Sequence, residues 1–339
     1  MELAKKRFLV TGAGCLGSAL VRRLLNDGAI VSVVDISKAD LDALPNGAKT
    51  TIADVTDLVA MKEAVAEADI VVHTAAALGG PGELQARVNV AGTRTVAEAA
   101  SEAGVDRLVH ISSNAVYGIH QISDITEDTG LAPSLQDYSM TKAAGEEALF
   151  DVAATNGLRY TVIRPAGIFG PGAHYFAASF YKRGKRKPVL FIGKGSGAMH
   201  CSFVDDVADL ITLAAVHPAA EGETFNCAID PPPTQREYMA AWSRLSGHDR
   251  YLGVPMVLAK IGGFVTKPFA KHGTYLSQLN DNLDWIDRYV RIDASKAKEL
   301  LGWEPAHTLE SGVRATIPWL RQIGLMDGAS FPTGGGFED

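Results

Sequence analysis

The feature that most constrains the fold is the alternation of apolar runs with helical segments along the first half of this 339-residue chain. β-Branched apolar runs predict strands, and apolar residues that recur every three or four positions predict helices. The predicted strands are residues 8–10, 30–34, 70–72, 108–111 and 160–163, and the predicted helices are residues 17–26, 58–68, 93–103 and 140–154. Such alternation is typical of α/β folds in which helices cover both faces of a parallel sheet.

The pattern changes after Gly170, where loops rich in glycine and proline become frequent. We predict a sheet domain over residues 1–170, to which residues 200–230 add further strands and helices. Residues 171–325 are predicted to form mainly a smaller substrate-binding lobe over the carboxyl ends of the strands, where ligands sit in open α/β sheets. The glycine-rich tail, residues 326–339, is predicted to be flexible.

Composition argues against several kinds of protein. The net charge of −7 is unfavourable for a nucleic-acid partner, because binding phosphates requires a basic face. Three scattered cysteines without a Cys-x-x-Cys pair predict neither a disulfide framework nor a metal site. An early first strand and the lack of a long apolar stretch predict a cytoplasmic chain without a membrane span. The basic run at residues 182–187 is either a solvated loop or a site for an anionic group of the substrate.

The loop after the first predicted strand reads Gly12-Ala-Gly14-Cys-Leu-Gly17 and opens the first predicted helix. In this context the glycines permit a tight turn, close approach of a pyrophosphate and packing of the helix on the sheet, as in a Rossmann-type dinucleotide site. Asp35 ends the second predicted strand, where a carboxylate binds the adenosine ribose and repels a 2′-phosphate. The sequence therefore predicts NAD as the cofactor, in preference to NADP.

Tyr138 and Lys142 are four residues apart, so that on a helix their side chains share one face. An ammonium group stabilises a nearby tyrosinate and lowers the tyrosine pKa from its usual value of about 10. Tyr138 is then the predicted general acid/base, which exchanges a proton with an alcohol or ketone while hydride moves to or from a nicotinamide. Ser113, at the end of a predicted strand, is expected to hydrogen-bond the reacting oxygen. Tyr117 is expected to be a packing residue.

These motifs, taken in order, resemble the extended short-chain dehydrogenase/reductase family, also called the NAD-dependent epimerase/dehydratase family. The resemblance covers roughly residues 7–320. From Gly167 onward the chain looks most similar to the branch of the 3β-hydroxysteroid dehydrogenases. The matching motifs are Val10-Thr-Gly12 with its glycine loop, Asp54-Val-Thr-Asp57, Val72-His-Thr-Ala-Ala76, Asn89-Val-Ala-Gly-Thr93, Ser112-Ser-Asn-Ala-Val-Tyr-Gly118, Tyr138 with Lys142, Arg164-Pro165, Phe203-Val-Asp-Asp206 and Leu301-Gly-Trp-Glu-Pro305.

The resemblance implies a set of site residues. The catalytic residues are Ser113, Tyr138 and Lys142. The implied cofactor-binding residues are Gly12, Gly14, Cys15, Leu16, Gly17, Asp35, Asp54, Val55, Ala75, Ala76, Ala77, Asn89, Ser112, Tyr138, Lys142 and Pro165. The implied substrate contacts are Leu78, Ser113, Asn114, Tyr138 and Gly167. Asn89 has packing as its alternative role, and His73 is expected to be structural.

The resemblance also implies a homodimer, built from the helix after Asn89 and the helix that carries Tyr138. Three departures from the family pattern bear on function. The glycine loop is one residue shorter than Thr-Gly-x-x-Gly-x-x-Gly. Residues 198–203 lack the arginine with which nucleotide-sugar enzymes hold a diphosphate, although Arg291 could replace a second expected arginine. Asn114 and Ala115 stand where dehydratases have an Asp-Glu pair.

The expected function is therefore that of an NAD-dependent oxidoreductase that interconverts a secondary alcohol and a ketone on a largely apolar small molecule. One alternative is a nucleotide-sugar 4-epimerase with tightly bound NAD, and another is a non-enzymatic redox sensor or scaffold. The apolar segment at residues 254–269 is expected either to line an apolar substrate pocket or only to pack within the second lobe.

Overall fold

The computed structural model describes residues 3–118, 122–266 and 287–327. Residues 328–339, which form most of the predicted flexible tail, lie outside the described residues, as do residues 267–269 of the predicted apolar segment. Within the described ranges, no helix is both long enough and apolar enough to cross a bilayer. In the same ranges, no group of three or more histidine, cysteine or acidic side chains is placed to hold a metal ion.

The strands are β1 (Arg7–Thr11), β2 (Ile30–Asp35), β3 (Lys49–Ile52), β4 (Ile70–His73), β5 (Arg107–Ile111), β6 (Asp124–Ile125), β7 (Tyr160–Pro165), β8 (Gly167–Phe169), β9 (Val189–Ile192), β10 (Cys201–Phe203), β11 (Thr224–Cys227), β12 (Tyr251–Val254) and β13 (Arg291–Ile292). The α-helices are α1 (Cys15–Asn26), α2 (Lys38–Asp42), α3 (Leu58–Val65), α4 (Gly82–Ala86), α5 (Thr93–Ala103), α6 (Asp137–Asn156), α7 (Ser179–Gly184), α8 (Val204–Val216), α9 (Gln235–Arg244), α10 (Met256–Thr266), α11 (Ser295–Leu301), α12 (Leu309–Ala315) and α13 (Ile317–Gln322). Short π-helical turns span Arg87–Gly92 and His174–Ala178, and 3₁₀ turns span Asn114–Tyr117 and Pro218–Ala220.

Seven strands form one parallel sheet in the order β11-β7-β5-β4-β1-β2-β3. Val10 of β1 lies opposite Val33 of β2 on one side and Val72 of β4 on the other. The order along the chain reverses between β1 and β4, and ligands of such sheets bind at the carboxyl ends of the strands beside that reversal. This arrangement confirms the predicted Rossmann-type doubly wound parallel sheet.

Apolar side chains of the same strand enter two different cores, because successive residues of a strand point to opposite faces of the sheet. Phe8 and Val10 of β1 pack in the core that contains Leu20 of α1 and Ile211 of α8. Leu9, between them, packs in a second core with Met61 of α3, Val96 of α5 and Leu149 of α6. This burial on both faces explains why the strands read as uninterrupted apolar runs.

Two of the differences from the sequence prediction bear on the site. The strand β3 was not predicted, because its residues Lys-Thr-Thr-Ile lie exposed at the edge of the sheet and carry no apolar run. The helix α6 begins at Asp137 rather than at Met140, so that Tyr138 lies in its first turn. The strand β11 adds an edge strand to the main sheet, while β8 pairs with β10 and β9 pairs with β12 in separate two-stranded sheets.

Candidate active site

The predicted site residues come together because their loops leave the same edge of the sheet. The glycine loop follows β1, Asp35 ends β2, and Asp54 and Val55 follow β3. On the other side of the reversal, the three consecutive alanines and Leu78 follow β4, Ser112 to Asn114 follow β5, and Pro165 ends β7. All these strands are parallel, so their carboxyl ends meet at one edge of the sheet.

The glycine loop has the shape that a pyrophosphate site requires. Gly12 has φ +93°, and a Cβ there would lie 2.8 Å from the backbone nitrogen of Ala75. A Cβ on Gly17 would lie 1.9 Å from the carbonyl oxygen of Gly12, so a side chain is excluded at both positions. A Cβ on Gly14 would meet no atom within 4 Å, so the backbone before α1 is open to a ligand. These residues fit a dinucleotide at the N-terminus of the helix.

The neighbouring residues Cys15 and Leu16 form the first turn of α1. The Cys15 thiol donates a hydrogen bond to the carbonyl oxygen of Pro171, with a sulfur–oxygen distance of 3.3 Å, which ties the glycine loop to the chain after β8. Burial raises the pKa of Cys15 to about 12, so the thiol stays neutral beside the loop. Leu16 is buried in the core below the loop.

Asp35 joins the glycine loop to the second strand. Its carboxylate accepts hydrogen bonds from the backbone N–H of Ala13 at 2.6 Å and of Ser37 at 2.7 Å. A carboxylate has about four acceptor positions, so it can also accept hydrogen bonds from a ribose. Because the group is half-buried and held by two backbone donors, its position is set before any ligand binds.

Asp54 is held in a similar way after β3. It accepts hydrogen bonds from the backbone of Thr56 at 2.9 Å and from Arg87 at 2.7 Å. Partial burial works to raise the pKa of Asp54, but these hydrogen bonds outweigh it and keep the pKa below its ordinary value. Val55 is buried, with its side chain against the backbone of Gly92. Sequence reasoning missed Arg87 as the partner of Asp54.

Asn89 lies in the π-helical turn that leads into α5, and π-helical turns are frequent at functional sites. Its amide nitrogen donates to the Ala77 carbonyl at 3.1 Å and to the Thr141 hydroxyl at 3.0 Å. Its amide oxygen accepts from the Ala77 N–H at 2.8 Å. Both amide donors are therefore engaged within the protein, and Asn89 joins the loop after β4 to the helix α6.

Tyr138 and Ser113 are neighbours, and an interaction between their hydroxyls works to lower the pKa of Tyr138. The Ser113 hydroxyl also accepts a hydrogen bond from the backbone N–H of Ala115 at 3.2 Å, which fixes the serine at the end of β5. Burial raises the pKa of Tyr138 above its usual value, and the interaction with Ser113 only partly opposes this effect. This direction is opposite to the lowering that the Tyr-Lys spacing predicts. The phenol is therefore protonated at neutral pH in this structure.

Lys142 is almost completely buried, with 2% of its surface exposed, and its ammonium donates a hydrogen bond to the Ile111 carbonyl at 2.7 Å. Burial lowers the pKa of Lys142 to about 8, against the opposing influence of Glu146. The ammonium is thus held beside β5 by a backbone group. Burial thus disfavours the charged form of both side chains, whereas the Tyr-Lys spacing predicts that the ammonium favours the tyrosinate.

Beneath Tyr138 and Lys142 lies a group of hydrogen-bonded side chains, which we call the buried polar layer: Glu146, Arg164, Tyr117 and Asn226. Sequence reasoning missed Glu146, Asn226 and the hydrogen bonds that join the four. The Arg164 guanidinium forms a two-point ion pair with Glu146, with nitrogen–oxygen distances of 2.9 and 2.6 Å. It also donates to the Tyr117 hydroxyl at 2.9 Å, which in turn donates to the Asn226 side chain at 2.7 Å. Tyr117 is 1% exposed, in agreement with a packing role. The position of Glu146, four residues after Lys142 on the same helix, was the available signal.

Two buried histidines lie near Lys142. The His73 ring nitrogens are 2.7 Å from the Thr11 hydroxyl and 3.2 Å from the Thr93 hydroxyl, and its ring centroid is 5.5 Å from that of His110. Burial lowers the pKa of His73 to about 3 and that of His110 well below its usual value, and the charge of Lys142 acts in the same direction. Both rings are therefore neutral at physiological pH, which agrees with a structural role for His73.

The predicted substrate contacts have different surroundings. Leu78 is 75% exposed, whereas a Cβ on Gly167 would lie 2.6 Å from the ring of Phe176. Asn114 is half-buried and begins the 3₁₀ turn after Ser113. Two predicted cofactor contacts lie nearby in the chain. The hydroxyl of Ser112 is buried, with no hydrogen-bond partner among the described residues. Pro165 lies opposite Cys227, where β7 and β11 end. The ring of Phe176 supplies an apolar surface next to Gly167.

Arg291, the candidate diphosphate ligand, is surrounded by carboxylates. Its guanidinium forms a two-point ion pair with Asp230 at 2.5 and 2.6 Å. It also lies 3.4 Å from Asp293 and 3.6 Å from Asp124. Its positive charge is therefore balanced within the protein.

Comparison with known proteins gives a consistent result. The model of the NAD dependent epimerase/dehydratase family matches residues 8–228. The 3beta-hydroxysteroid-dehydrogenase/decarboxylase isoform 2 of Arabidopsis thaliana is 32% identical over 285 residues, which are 78% of this chain and 50% of that protein. The chain thus spans about half the length of that relative.

Two further similarities extend over almost the whole chain. The UDP-glucose 4-epimerase of Mycolicibacterium smegmatis is 31% identical over 342 residues, with 93% of this chain and 98% of that protein covered. The crystal structure of UDP-glucose 4-epimerase with UDP-glucose from Thermotoga maritima superposes with a TM-score of 0.76 at 26% identity, and covers 94% of this chain and 99% of that one.

Proposed function

The chain belongs to the NAD-dependent epimerase/dehydratase family, and we propose that within this family it interconverts a secondary alcohol and a ketone on a largely apolar small molecule. Membership confirms the predicted resemblance, and NAD is the cofactor of the family. The relatives include both steroid dehydrogenases and sugar epimerases, so the choice between these reactions depends on the residues of the site.

The residues suited to hold NAD are those at the carboxyl edge of the sheet. The open backbone at Gly14 is suited to the pyrophosphate and Asp35 to the adenosine ribose, while Asp54 and Val55 are proposed to lie along the adenine. The alanines at 75–77, Ser112 and Pro165 are proposed to border the rest of the cofactor. NAD supplies a hydride acceptor, or in its reduced form a hydride donor, at the nicotinamide ring.

The proton chemistry is assigned to Tyr138, Ser113 and Lys142. In the reducing direction the phenol of Tyr138 gives its proton to the carbonyl oxygen, while the Ser113 hydroxyl donates a hydrogen bond to the same oxygen. In the oxidising direction the proton returns from the alcohol to Tyr138. The ammonium of Lys142 has three donors, of which one is engaged with Ile111, and the others are available to a ribose hydroxyl and to the tyrosinate.

The observation that carries the choice of substrate is the surroundings of Arg291. A diphosphate needs fixed positive charge to compensate for its loss of water, and the charge of Arg291 is already balanced by Asp230, Asp293 and Asp124. Residues 198–203 add no arginine in the position that nucleotide-sugar enzymes use. The ring of Phe176 beside Gly167 favours an apolar ligand.

A nucleotide-sugar 4-epimerase with retained NAD is the second candidate. It is favoured by the similarity to the Mycolicibacterium smegmatis enzyme, which covers nearly the full length of both chains. Epimerisation would use the same Tyr138 and Ser113, with the hydride returned to the opposite face of the sugar. It would require a diphosphate ligand other than Arg291.

The deciding experiment is an assay of the purified chain with NAD⁺ against steroid-like and aryl secondary alcohols, and separately against UDP- and GDP-sugars. We expect NADH in proportion to the ketone formed, and we expect this activity to be lost in Tyr138→Phe but retained in the control Tyr160→Phe, a tyrosine that packs on Phe150 away from Ser113. Sugar epimerisation without net NADH, by protein that purifies with NAD bound, would establish the second candidate instead.

Three further predictions remain part of the proposal. They are the division into a sheet domain and a substrate lobe over residues 171–325, the homodimer through α5 and α6, and the cytoplasmic location. A groove between α5 and α6 is lined by charged side chains, including the pair Arg94 and Asp151 at 3.0 Å. In a dimer formed through this face, side chains of opposite charge from the two copies would have to lie against each other. Analytical ultracentrifugation of the wild type and of Arg94→Glu tests whether such a dimer forms.

A further inference from the structure

The two-stranded sheet of β9 and β12 exposes leucines where polar residues are expected. Leu190 lies directly opposite Leu252 in the register, and the two are 62% and 54% exposed. The neighbouring Val189 and Phe191 point to the other face and are buried. A sheet with one face in water normally carries polar side chains on that face. The leucine pair is therefore an exception that needs a reason.

The helix α10, which follows β12 in the chain, carries further exposed apolar side chains. Pro255 alone separates β12 from α10. Val257, Leu258 and Ile261 are 68%, 59% and 56% exposed and lie on one face of the helix. These three side chains are therefore not packed within the lobe, and the alternative that the segment lines a substrate pocket stays a prediction. We call the five side chains Leu190, Leu252, Val257, Leu258 and Ile261 the apolar patch, and exposed apolar side chains grouped in this way mark interaction sites.

Cations border the apolar patch at the beginning of both strands, and we call them the cationic rim: Lys182, Lys185, Arg186, Lys187 and Arg250. All five are exposed. The backbone N–H of Val189 donates to the Arg250 carbonyl at 2.9 Å, so the two basic segments are adjacent. Among the described residues, no carboxylate pairs with Lys182, Arg186 or Lys187, and Lys185 lies over the ring of Tyr181.

The cationic rim is unexpected in a chain whose net charge is −7. At physiological ionic strength charges are screened over about 8 Å, so the distant acidic residues do little to cancel the field of the rim at its own surface. Asp249, next to Arg250, removes only part of that charge. The local field is positive and lies directly beside exposed apolar side chains.

We propose that the apolar patch and the cationic rim together bind the surface of a membrane that contains anionic lipids. The rim would contact the headgroups, and the patch would enter the boundary between headgroups and acyl chains, as in interfacial proteins that do not span the bilayer. A second copy of the chain fits less well, because in a two-fold contact the same surface is presented by both copies and the cationic rim brings no complementary negative charge of its own. The inference concerns binding and does not depend on the proposed reaction.

The test is sedimentation of the full chain with vesicles of phosphatidylcholine alone and of phosphatidylcholine with phosphatidylglycerol. We expect binding to the anionic vesicles that weakens as salt rises. Each cation near the surface contributes about fivefold, or about 1 kcal/mol, so Lys182→Gln with Lys187→Gln should weaken binding about 25-fold. Leu190→Ser with Leu252→Ser should weaken it on the order of tenfold, because less apolar surface is inserted.

Matched controls change the same chemistry elsewhere on the surface. Lys5→Gln with Lys49→Gln removes two exposed cations of the sheet domain, and Ile30→Ser with Leu300→Ser removes two exposed apolar side chains. Both should bind vesicles like the wild type, and thermal unfolding of every variant verifies folding. The proposal is overturned if the wild type does not bind anionic vesicles, or if the controls lose as much affinity as the test variants. A leucine double variant that instead dissociates a dimer would assign the patch to a second copy.

Discussion

The cofactor edge of the site and the buried polar layer beneath it are built on different principles. At the edge, Gly14 and Asp35 are at least partly open to solvent, and their positions are set by backbone geometry and backbone hydrogen bonds. In the layer, Glu146 and Arg164 are 0% and 5% exposed and depend on each other for charge balance. Substitutions of exposed or half-buried side chains at the edge, such as Asp35, are therefore expected to have little effect on stability, whereas substitutions in the layer are expected to affect folding first.

The largest effect is expected for Tyr138→Phe, which removes one hydroxyl at the boundary between the two regions. Turnover should fall about 100- to 10,000-fold, the usual contribution of a general acid/base. NAD affinity and the melting temperature should stay near wild type, because the ring and its packing are kept. Steady-state kinetics with the identified alcohol, together with titration calorimetry, measures both. A variant with near-normal turnover would remove Tyr138 from the chemistry.

Arg164→Met tests whether the buried layer supports the fold. It leaves the buried carboxylate of Glu146 without the ion-pair partner that forms two hydrogen bonds to it, and we expect a loss of about 3 to 5 kcal/mol in the free energy of unfolding, measured in urea. The control is Lys62→Gln, which breaks an exposed ion pair with Glu102 whose nitrogen–oxygen distance is 2.7 Å. That control should cost less than about 1 kcal/mol. Equal, small losses in both variants would erase the contrast between buried and exposed charges.

Lys142→Met should have opposite effects on turnover and stability. Burial lowers the Lys142 pKa from 10.5 to about 8, so between these values the unfolded chain binds more protons than the folded one and stability rises with pH. At a pH below about 8, burial of the charged ammonium destabilises the folded chain by its full amount, roughly 3 kcal/mol. The variant also loses the hydrogen bond to Ile111, worth about 1 kcal/mol.

We therefore expect Lys142→Met to be about 2 kcal/mol more stable than wild type at neutral pH, while turnover collapses. As pH rises from about 8 towards 10.5, the wild type should recover the penalty and the difference should shrink or reverse. Urea unfolding over this pH range measures the difference. A variant that is less stable at neutral pH, with a difference that does not change with pH, would show that the lysine is not buried as a charge.

The smallest effect is expected at the cofactor edge. Asp35→Asn keeps a carbonyl oxygen for the Ala13 N–H but loses the charge, so NAD should bind about tenfold more weakly and the preference over NADP should narrow. Asp40→Asn, an exposed change in the first turn of α2, is the control and should bind both cofactors like wild type. Titration calorimetry decides the question, and equal affinity of the wild type for NAD and NADP would show that Asp35 does not contact the ribose.

Much of the fold was predictable because its signals are local. The strands of the sheet interior read as apolar runs since both of their faces are buried, and the glycine loop is identified by the strand before it and the helix after it. The strand β3 escaped prediction because its pairing with β2 is made by backbone groups at an exposed edge. The candidates Tyr138, Lys142 and Ser113 could be named from local signals too. Tyr138 and Lys142 are spaced to share one face of a helix, and Ser113 lies at the end of a strand.

What the sequence by itself determined was the order of elements and the chemistry of the residues at the strand ends. Tertiary structure alone decided which side chains are dehydrated and which charges are paired. The Tyr138 pKa is raised by burial, Glu146 is balanced by Arg164 from β7, and Arg291 is neutralised by Asp230, which is 61 residues away in the chain. The physical reason is that hydration and charge pairing depend on which groups are close in space, and no local pattern of residue types records that proximity.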